Sequence, residues 1–201
     1  MLQWAREQGC EWDHQTYSGA AGGGHLEVLL WAHDHDCPFD ANDDSLCDAA
    51  ASGGNLEVLK WVLARGCEWG GLETFVCAAM GGHLEVLKWA REHGYEWDNG
   101  RMICACAAWS GHLETLKWLR EHGCEWDAET CSRAAAFGHL KVLKWAREYD
   151  CSWDPDTCTC ATHNGHLEVL KWAREHGCPW TETARDLAAT KGHSDDLPLF
   201  I

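Results

Sequence analysis

GHLEVLKWAREHGCPWT (residues 165–181) recurs almost unchanged as GHLETLKWLREHGCEWD at 111–127 and as GHLEVLKWAREHGYEWD at 82–98. Near-copies of one seventeen-residue stretch make the chain a repeat array, and its period is read before any single element. The aromatics mark that period. Trp4, Trp31, Trp61, Trp89, Trp118, Trp145 and Trp172 form one row. Trp12, Phe39, Trp69, Trp97, Trp126, Trp153 and Trp180 form a second, always eight residues on. An uninterrupted unit is 27 residues, and three units carry one to three extra residues. The extra residues fall between the second aromatic and the following Gly-His or Gly-Asn. From that His or Asn to the next second aromatic the step is always fourteen. One half of the unit is therefore fixed in length, and the other holds a loop that tolerates insertion.

The fixed half reads as a helix. It starts at the slot of His25, Asn55, His83, His112, His139, His166 and His193, where Asn is a good N-cap. Glu27, Glu57, Glu85, Glu114 and Glu168 lie in the first turn, where the helix dipole favours an anion. Gly94, Gly123 and Gly177 stand where a left-handed residue ends the helix. Asp36 and Asp150 replace that glycine in two units, and Asp tolerates the left-handed region better than most residues. In residues 113–122, Thr115, Leu116, Trp118 and Leu119 make an apolar face too broad for one neighbour, while Glu114, Lys117 and Glu121 share the remaining stripe. The other half holds a shorter helix. Thr16, Thr74, Thr130 and Thr157 share a slot that could cap it, and small pairs such as Ala50-Ala51, Ala107-Ala108 and Ala134-Ala135 let a neighbouring helix come close. Helix, turn, helix, loop, stacked unit on unit, is an all-α solenoid.

Residues 130–153, TCSRAAAFGHLKVLKWAREYDCSW, resemble the ankyrin repeat. That family's pattern runs Thr-Pro-Leu-His-x-Ala-Ala-x-x-Gly-His-Leu-Glu-Val-Val-Lys-Leu-Leu-Leu-x-x-Gly-Ala-Asp-Val. The resemblance recurs in register over almost the whole chain. The array divides into a partial N-terminal repeat (1–13), full repeats at 14–40, 41–70, 71–98, 99–127, 128–154 and 155–181, and a partial C-terminal repeat or cap at 182–201. The family's unit is about 33 residues, so these are shorter by roughly six. The part lost is the projecting β-hairpin, reduced here to segments such as DAET (127–130). Thr-Pro becomes Thr130-Cys131 and Thr157-Cys158, a leucine becomes Trp145 and a valine becomes Trp153. The resemblance implies a helix-turn-helix repeat solenoid, an ankyrin-like array, that binds a protein partner and does no chemistry.

Composition narrows the partner. Asp and Glu number 32 against 16 Lys and Arg, a net charge of −16, which argues against nucleic acid and anionic membranes. No secretory signal opens the chain and no apolar run reaches membrane-spanning length, so the 13 cysteines read as reduced thiols of an intracellular protein, cytoplasmic or nuclear. Cys10, Cys37, Cys67, Cys124, Cys151 and Cys178 form a row. Equivalent atoms of stacked helices lie about 8–10 Å apart, too far for a disulfide along the row. Cys104/Cys106 and Cys158/Cys160 are C-x-C pairs that face apart on a helix, and no CxxC or HxxxH spacing points to zinc. The expectation is small buried thiols and no metal. The 14 tryptophans read as core packing rather than stacking platforms. Histidines repeated once per unit read as fold determinants, and no separate nucleophile, base and orienter stand out. AAGGGHLE (20–27) lacks the lysine of a phosphate loop. No catalytic residue and no cofactor are expected.

If the repeated residues make the fold, the varied ones can make the contacts. The two residues before Gly-His or Gly-Asn vary most. Met80, Trp109, Ser110, Phe137, His163, Asn164 and Lys191 are the candidate partner-binding residues, with Met80, Trp109, Phe137 and His163 as a partly apolar line. Aromatic and Met side chains are common binding anchors. The expected state is a monomer, and an open N-terminal repeat is the route to end-to-end self-association. In KGHSDDLPLFI (191–201), Asp195, Asp196 and Pro198 should weaken the last helix into an acidic cap. Two alternatives stay open: a fragment of a larger adaptor or effector that recruits substrates to an enzyme domain elsewhere, and a thiol-responsive scaffold.

Overall fold

A computed structural model describes residues 7–9, 12–43 and 45–190. The expectations for Trp4, Cys10, Lys191, His193 and the segment 191–201 fall outside them. Thirteen helices and no strand are present among the described residues, so the fold is all-α and the β-hairpin is absent there. The chain divides into two compact units, Met1–Trp97 and Asp98–Ile201.

In the N-terminal unit the helices are α1 (His14–Gly22), α2 (Leu26–Asp34), α3 (Ser45–Ser52), α4 (Leu56–Ala64), α5 (Leu72–Met80) and α6 (Leu84–Glu92). In the C-terminal unit they are α7 (Arg101–Trp109), α8 (Leu113–Glu121), α9 (Ala128–Ala136), α10 (Leu140–Glu148), α11 (Pro155–Asn164), α12 (Leu167–Glu175) and α13 (Glu182–Thr190). Odd-numbered helices are the first of each repeat and even-numbered ones the second. First helices stack on one another, α1 on α3 on α5 in one unit and α7 on α9 on α11 on α13 in the other. The first six of them, α1, α3, α5, α7, α9 and α11, each also pack on the second helix of their own repeat. The small pairs are what permit this: Ala50, Ala51, Ala78, Ala79, Ala107, Ala108, Ala134 and Ala135 are all fully buried.

The helix ends follow the sequence in their positions, with three corrections of detail. Second helices start after the His or Asn slot, and Asn55 accepts from the Val58 N–H at 3.2 Å. The histidines there do not cap. His83 Nε2 donates to the Ser52 carbonyl at 2.7 Å and His166 Nε2 to the Ala136 carbonyl at 3.0 Å, so each ties its repeat to the one before. Gly94, Gly123 and Gly177 take φ of +82 to +83°, and Asp36 and Asp150 take +58° and +61°, so aspartate fills the left-handed slot in both exceptions. The first helices are not shorter as a set: they span eight (α3) to ten (α11) residues against nine in the second helices. The Thr slot takes part in capping at α1, where the Thr16 hydroxyl accepts the Asp13 N–H at 3.3 Å to complete a capping box, but it is not the N-cap itself. Asp13, Asp127 and Asp154 are the N-caps, accepting from Gln15, Glu129 and Asp156 N–H groups at 2.9–3.0 Å. Thr74, Thr130 and Thr157 lie three residues past the N-cap and are fully buried. The helix simply begins earlier than the threonine, at an aspartate inside the connecting loop.

The tryptophans also need correction. Trp61, at 9% exposure, is buried, but Trp31, Trp69, Trp89, Trp97, Trp118, Trp126, Trp145, Trp153, Trp172 and Trp180 are half-buried. The closed core consists instead of Leu29, Leu59, Leu87, Leu116, Leu143 and Leu170 with the paired alanines. The indoles sit along the margin of the second helices, in contact with one another and with arginine. Trp126 meets Trp145 edge-on at 5.4 Å and Trp153 meets Trp172 at 5.9 Å. Arg91, Arg120, Arg147 and Arg174 lie over Trp97, Trp126, Trp153 and Trp180 at 4.3–5.0 Å. The same arginines donate to the backbone carbonyls of Tyr95, Cys124, Cys151 and Cys178. One guanidinium thus closes the turn and covers an indole face.

Candidate functional site

Trp109 ends α7, and Phe137 is the C-terminal cap of α9 in the next repeat. Both stand just before a left-handed glycine, Gly111 (φ +79°) or Gly138 (φ +76°), that turns the chain into the second helix. This fixes the backbone at the two slots while leaving the side chains unconstrained in type. The rings stack with centroids 4.9 Å apart and planes 25° from parallel. Arg133, one helical turn before Phe137, places its guanidinium 4.8 Å from the Trp109 ring centre. Glu129 holds Arg133 through Nε and Nη2 at 3.1 and 2.9 Å. Trp109 is half-buried by this packing, and Phe137 remains 46% exposed.

The other candidate residues are placed separately. Ser110 is the half-buried cap of α7, its N–H bonded back to α7 carbonyls. His163 and Asn164 are exposed at the end of α11, where the Asn164 amide donates to the Cys160 carbonyl at 3.0 Å. Met80 is 40% exposed at the end of α5, in the N-terminal unit. The stacked pair Trp109 and Phe137 is thus the part of the expected line that the C-terminal unit draws together. Beside it, between α9 and α11, runs an open groove of about 390 Å³ lined by Glu129, Ser132, Arg133, Asp154, Asp156 and Cys160. Three carboxylates and one arginine make it acidic. Burial, with Asp156 and Asp154 nearby, pushes the Cys160 thiol up. Arg133 escaped the sequence reading, although its slot also varies, with Gly19, Ala49, Cys77, Cys106, Cys160 and Leu187 at the equivalent places.

A second cleft, of about 500 Å³, lies on the opposite, second-helix margin and is lined by Lys117, Arg120, Glu121, Trp126, Trp145 and Tyr149. Tyr149, 59% exposed, stands where other repeats have His93, His122 and His176. Those histidines stack on the preceding tryptophan at 4.1–4.3 Å and bond its carbonyl through Nδ1 at 2.8 Å. Most of this cleft is thus built from repeated parts that also close the helix ends.

Nine of the twelve described cysteines are buried as expected, Cys77, Cys106 and Cys160 are half-buried, and all described ones are free thiols. Their pairing was missed. Cys104 hydrogen-bonds Cys124, Cys131 bonds Cys151, and Cys158 bonds Cys178. The constant spacing of 20 residues carries the pairing, which rows of equivalent positions do not display. In the N-terminal unit Tyr17 stands 20 residues before Cys37, and its hydroxyl donates to the Cys37 carbonyl at 3.2 Å. Burial, then Cys37, pushes the Tyr17 hydroxyl up to about 12.

Stacked helical pairs joined by left-handed glycines define a helical repeat protein of the solenoid class. Residues 46–130 match "Ankyrin repeats (3 copies)", and residues 17–63 and 131–174 match "Ankyrin repeats (many copies)". The chain belongs to the ankyrin-repeat family, in a short, tryptophan-rich form of its unit. The crystal structure of the human ASB11 ankyrin repeat domain is similar in fold, with a TM-score of 0.66 and 18% identity over 89% of this chain and 94% of that one. A comparison with curated proteins returns no match. Ankyrin repeats are in general protein–protein interaction modules, typically non-enzymatic. No described helix is long and apolar enough to cross a membrane.

Proposed function

We propose that this chain binds a partner protein through varied positions at the ends of its first helices, with Trp109 and Phe137 as the anchors and Met80, Ser110, His163, Asn164 and Lys191 as further contact positions. The observation that carries the reading is the Trp109–Phe137 stack, with Phe137 46% exposed at a slot that the fold leaves free to vary. Large aromatics preordered by stacking lose little side-chain entropy on binding, which suits them as anchors. The acidic groove beside them supplies a polar margin. In this reading the repeat boundaries are those of the 27-residue period, the array acts intracellularly, and the repeated residues serve the fold alone.

The test is selection of binding peptides from a displayed library against the whole chain, followed by affinity measurement on variants. Trp109→Ala/Phe137→Ala should weaken binding at least about tenfold, the scale of a hot-spot pair. Tyr149→Ala, on the opposite margin, should leave it unchanged. Helical circular dichroism monitors folding in each case. Binders that keep their affinity for the double variant and lose it with Tyr149→Ala would place the site on the second helices instead.

A further inference from the structure

Six buried thiols of the C-terminal unit form three pairs of one construction. Cys104, Cys131 and Cys158 lie on first helices, and Cys124, Cys151 and Cys178 follow the second helices of the same repeats. All are fully buried except Cys178, at 2% exposure. The second member of each pair donates to the carbonyl that opens its own repeat's first helix: Cys124 to Gly100 at 3.0 Å, Cys151 to Asp127 at 3.2 Å and Cys178 to Asp154 at 3.6 Å. With that proton committed, the first member donates to the sulfur of the second. The relay orders the two thiols. The hydrogen bond to Cys178, then burial, holds the Cys158 thiol well above the usual range, while the bond it donates draws Cys178 down. Among the described residues no group of three or more His, Cys, Asp or Glu gathers as a metal would need, so the chemistry open to each pair is that of two sulfurs.

We propose that Cys158 and Cys178 are a redox-active pair that closes to an intrarepeat disulfide by exchange with a low-molecular-weight disulfide of the glutathione class. The Cys178 thiolate, its proton given to solvent, attacks one sulfur of the small disulfide. A Cys178–small-thiol bond forms, and one thiolate leaves and takes up a proton. Cys158 then loses its proton, attacks the Cys178 sulfur and expels the second small thiolate, which is protonated in turn. Two protein thiols are oxidised by two electrons, and one disulfide is reduced to two thiols. Cys104/Cys124 and Cys131/Cys151 are further pairs of the same build. The bond would tie α11 to the segment after α12. Burial means that exchange proceeds through local opening of the repeat.

The experiment equilibrates the folded full chain in reduced and oxidised glutathione at about pH 8, where thiolates form. Quenched samples are alkylated in denaturant and read by intact mass and peptide mapping. A parallel sample, oxidised in urea and refolded into the same buffers, approaches equilibrium from the other side. Both routes should lose alkylation sites in steps of two, with the mapped bond joining Cys158 to Cys178. Cys158→Ser should instead leave one glutathione adduct on Cys178. Cys160→Ser, a half-buried neighbour, should keep the 158–178 bond and shows that the helix accepts serine. The proposal is overturned if Cys178 maps to a cysteine of another repeat. It is also overturned if adducts alone form on the parent chain, or if both routes end with Cys158 and Cys178 fully alkylated at the most oxidising ratio.

Discussion

Gly100→Ala tests the glycine with the closest neighbour in the C-terminal unit. Gly100 opens α7 at φ −84°, a conformation alanine adopts freely, so backbone strain plays no part. A β-carbon there would lie 1.9 Å from the Cys124 sulfur and 3.0 Å from the Cys124 α- and β-carbons. Cys124 is fully buried and donates to the Gly100 carbonyl at 3.0 Å, so the sulfur has nowhere nearby to go. Overpacking of this kind costs about 1–3 kcal/mol. The displaced thiol bond adds about 0.5–1.5 kcal/mol. Against these, replacing glycine by alanine gains about 0.4–1 kcal/mol through the unfolded chain. The net expectation is a loss of about 1–3 kcal/mol. It is read as a lower urea midpoint at unchanged slope, followed by circular dichroism. In a Cys124→Ala background the loss should shrink by at least about 1 kcal/mol, because the sulfur that clashes is gone. Gly19→Ala is the control: it sits mid-helix in α1 with nothing within 4 Å of the added carbon. It should stabilise by about 0.5–1 kcal/mol. A Gly100→Ala protein as stable as its parent, or one equally weakened with and without Cys124, refutes the packing account.

Three further outcomes follow from the same contacts. Trp126→Ala removes a half-buried indole with Arg120 over its face and Trp145 at its edge, and should cost about 1.5–3 kcal/mol by urea titration, below the roughly 3–5 of a closed core. Thr130→Val removes a buried hydroxyl that has no partner, and should raise the thermal midpoint. Because the Tyr17 hydroxyl titrates at about 12 in the folded chain, above its usual 10, folding favours its protonated form. The contribution is complete below pH 10 and lost as pH rises through about 12. Tyr17→Phe should flatten that part of an alkaline denaturation curve, and an unchanged curve would contradict the assignment.

The fold was legible because every structural demand recurs. Seven copies of one aromatic slot and seven of one glycine-led turn leave little freedom, and even Asp36 and Asp150 are readable as left-handed residues. What escaped lies where the demand is met between slots. Capping falls to Asp13, Asp127 and Asp154 because each sits in the loop, outside the register that the constant fourteen-residue step defines. The indoles stay half-buried because a second helix is covered by first helices on one side only, and its margin is closed by arginine rather than by another layer. Trp109 and Phe137 could be singled out as varied, but their stack depends on the offset between repeats, and Arg133 on the pitch of α9, neither of which a single unit displays.

The bonds that finish each repeat have an evolutionary consequence. The thiol-to-carbonyl links (Cys124–Gly100, Cys151–Asp127) and the arginine clasps (Arg120–Cys124, Arg147–Cys151) begin and end within one repeat length counted from the residue that opens the first helix, 100–126 or 127–153. Between neighbours, polar bonding includes contacts to a backbone carbonyl, such as His166 to Ala136, and side-chain contacts particular to one junction, such as Thr74 to Asp48 at 2.6 Å. Deleting or duplicating such a segment in the C-terminal unit therefore keeps these thiol and arginine bonds, whereas a bond between particular side chains, such as Thr74 to Asp48, loses its partner when its junction changes. Array length becomes a quantity that recombination can change in whole steps, carrying the varied first-helix ends along as interchangeable letters.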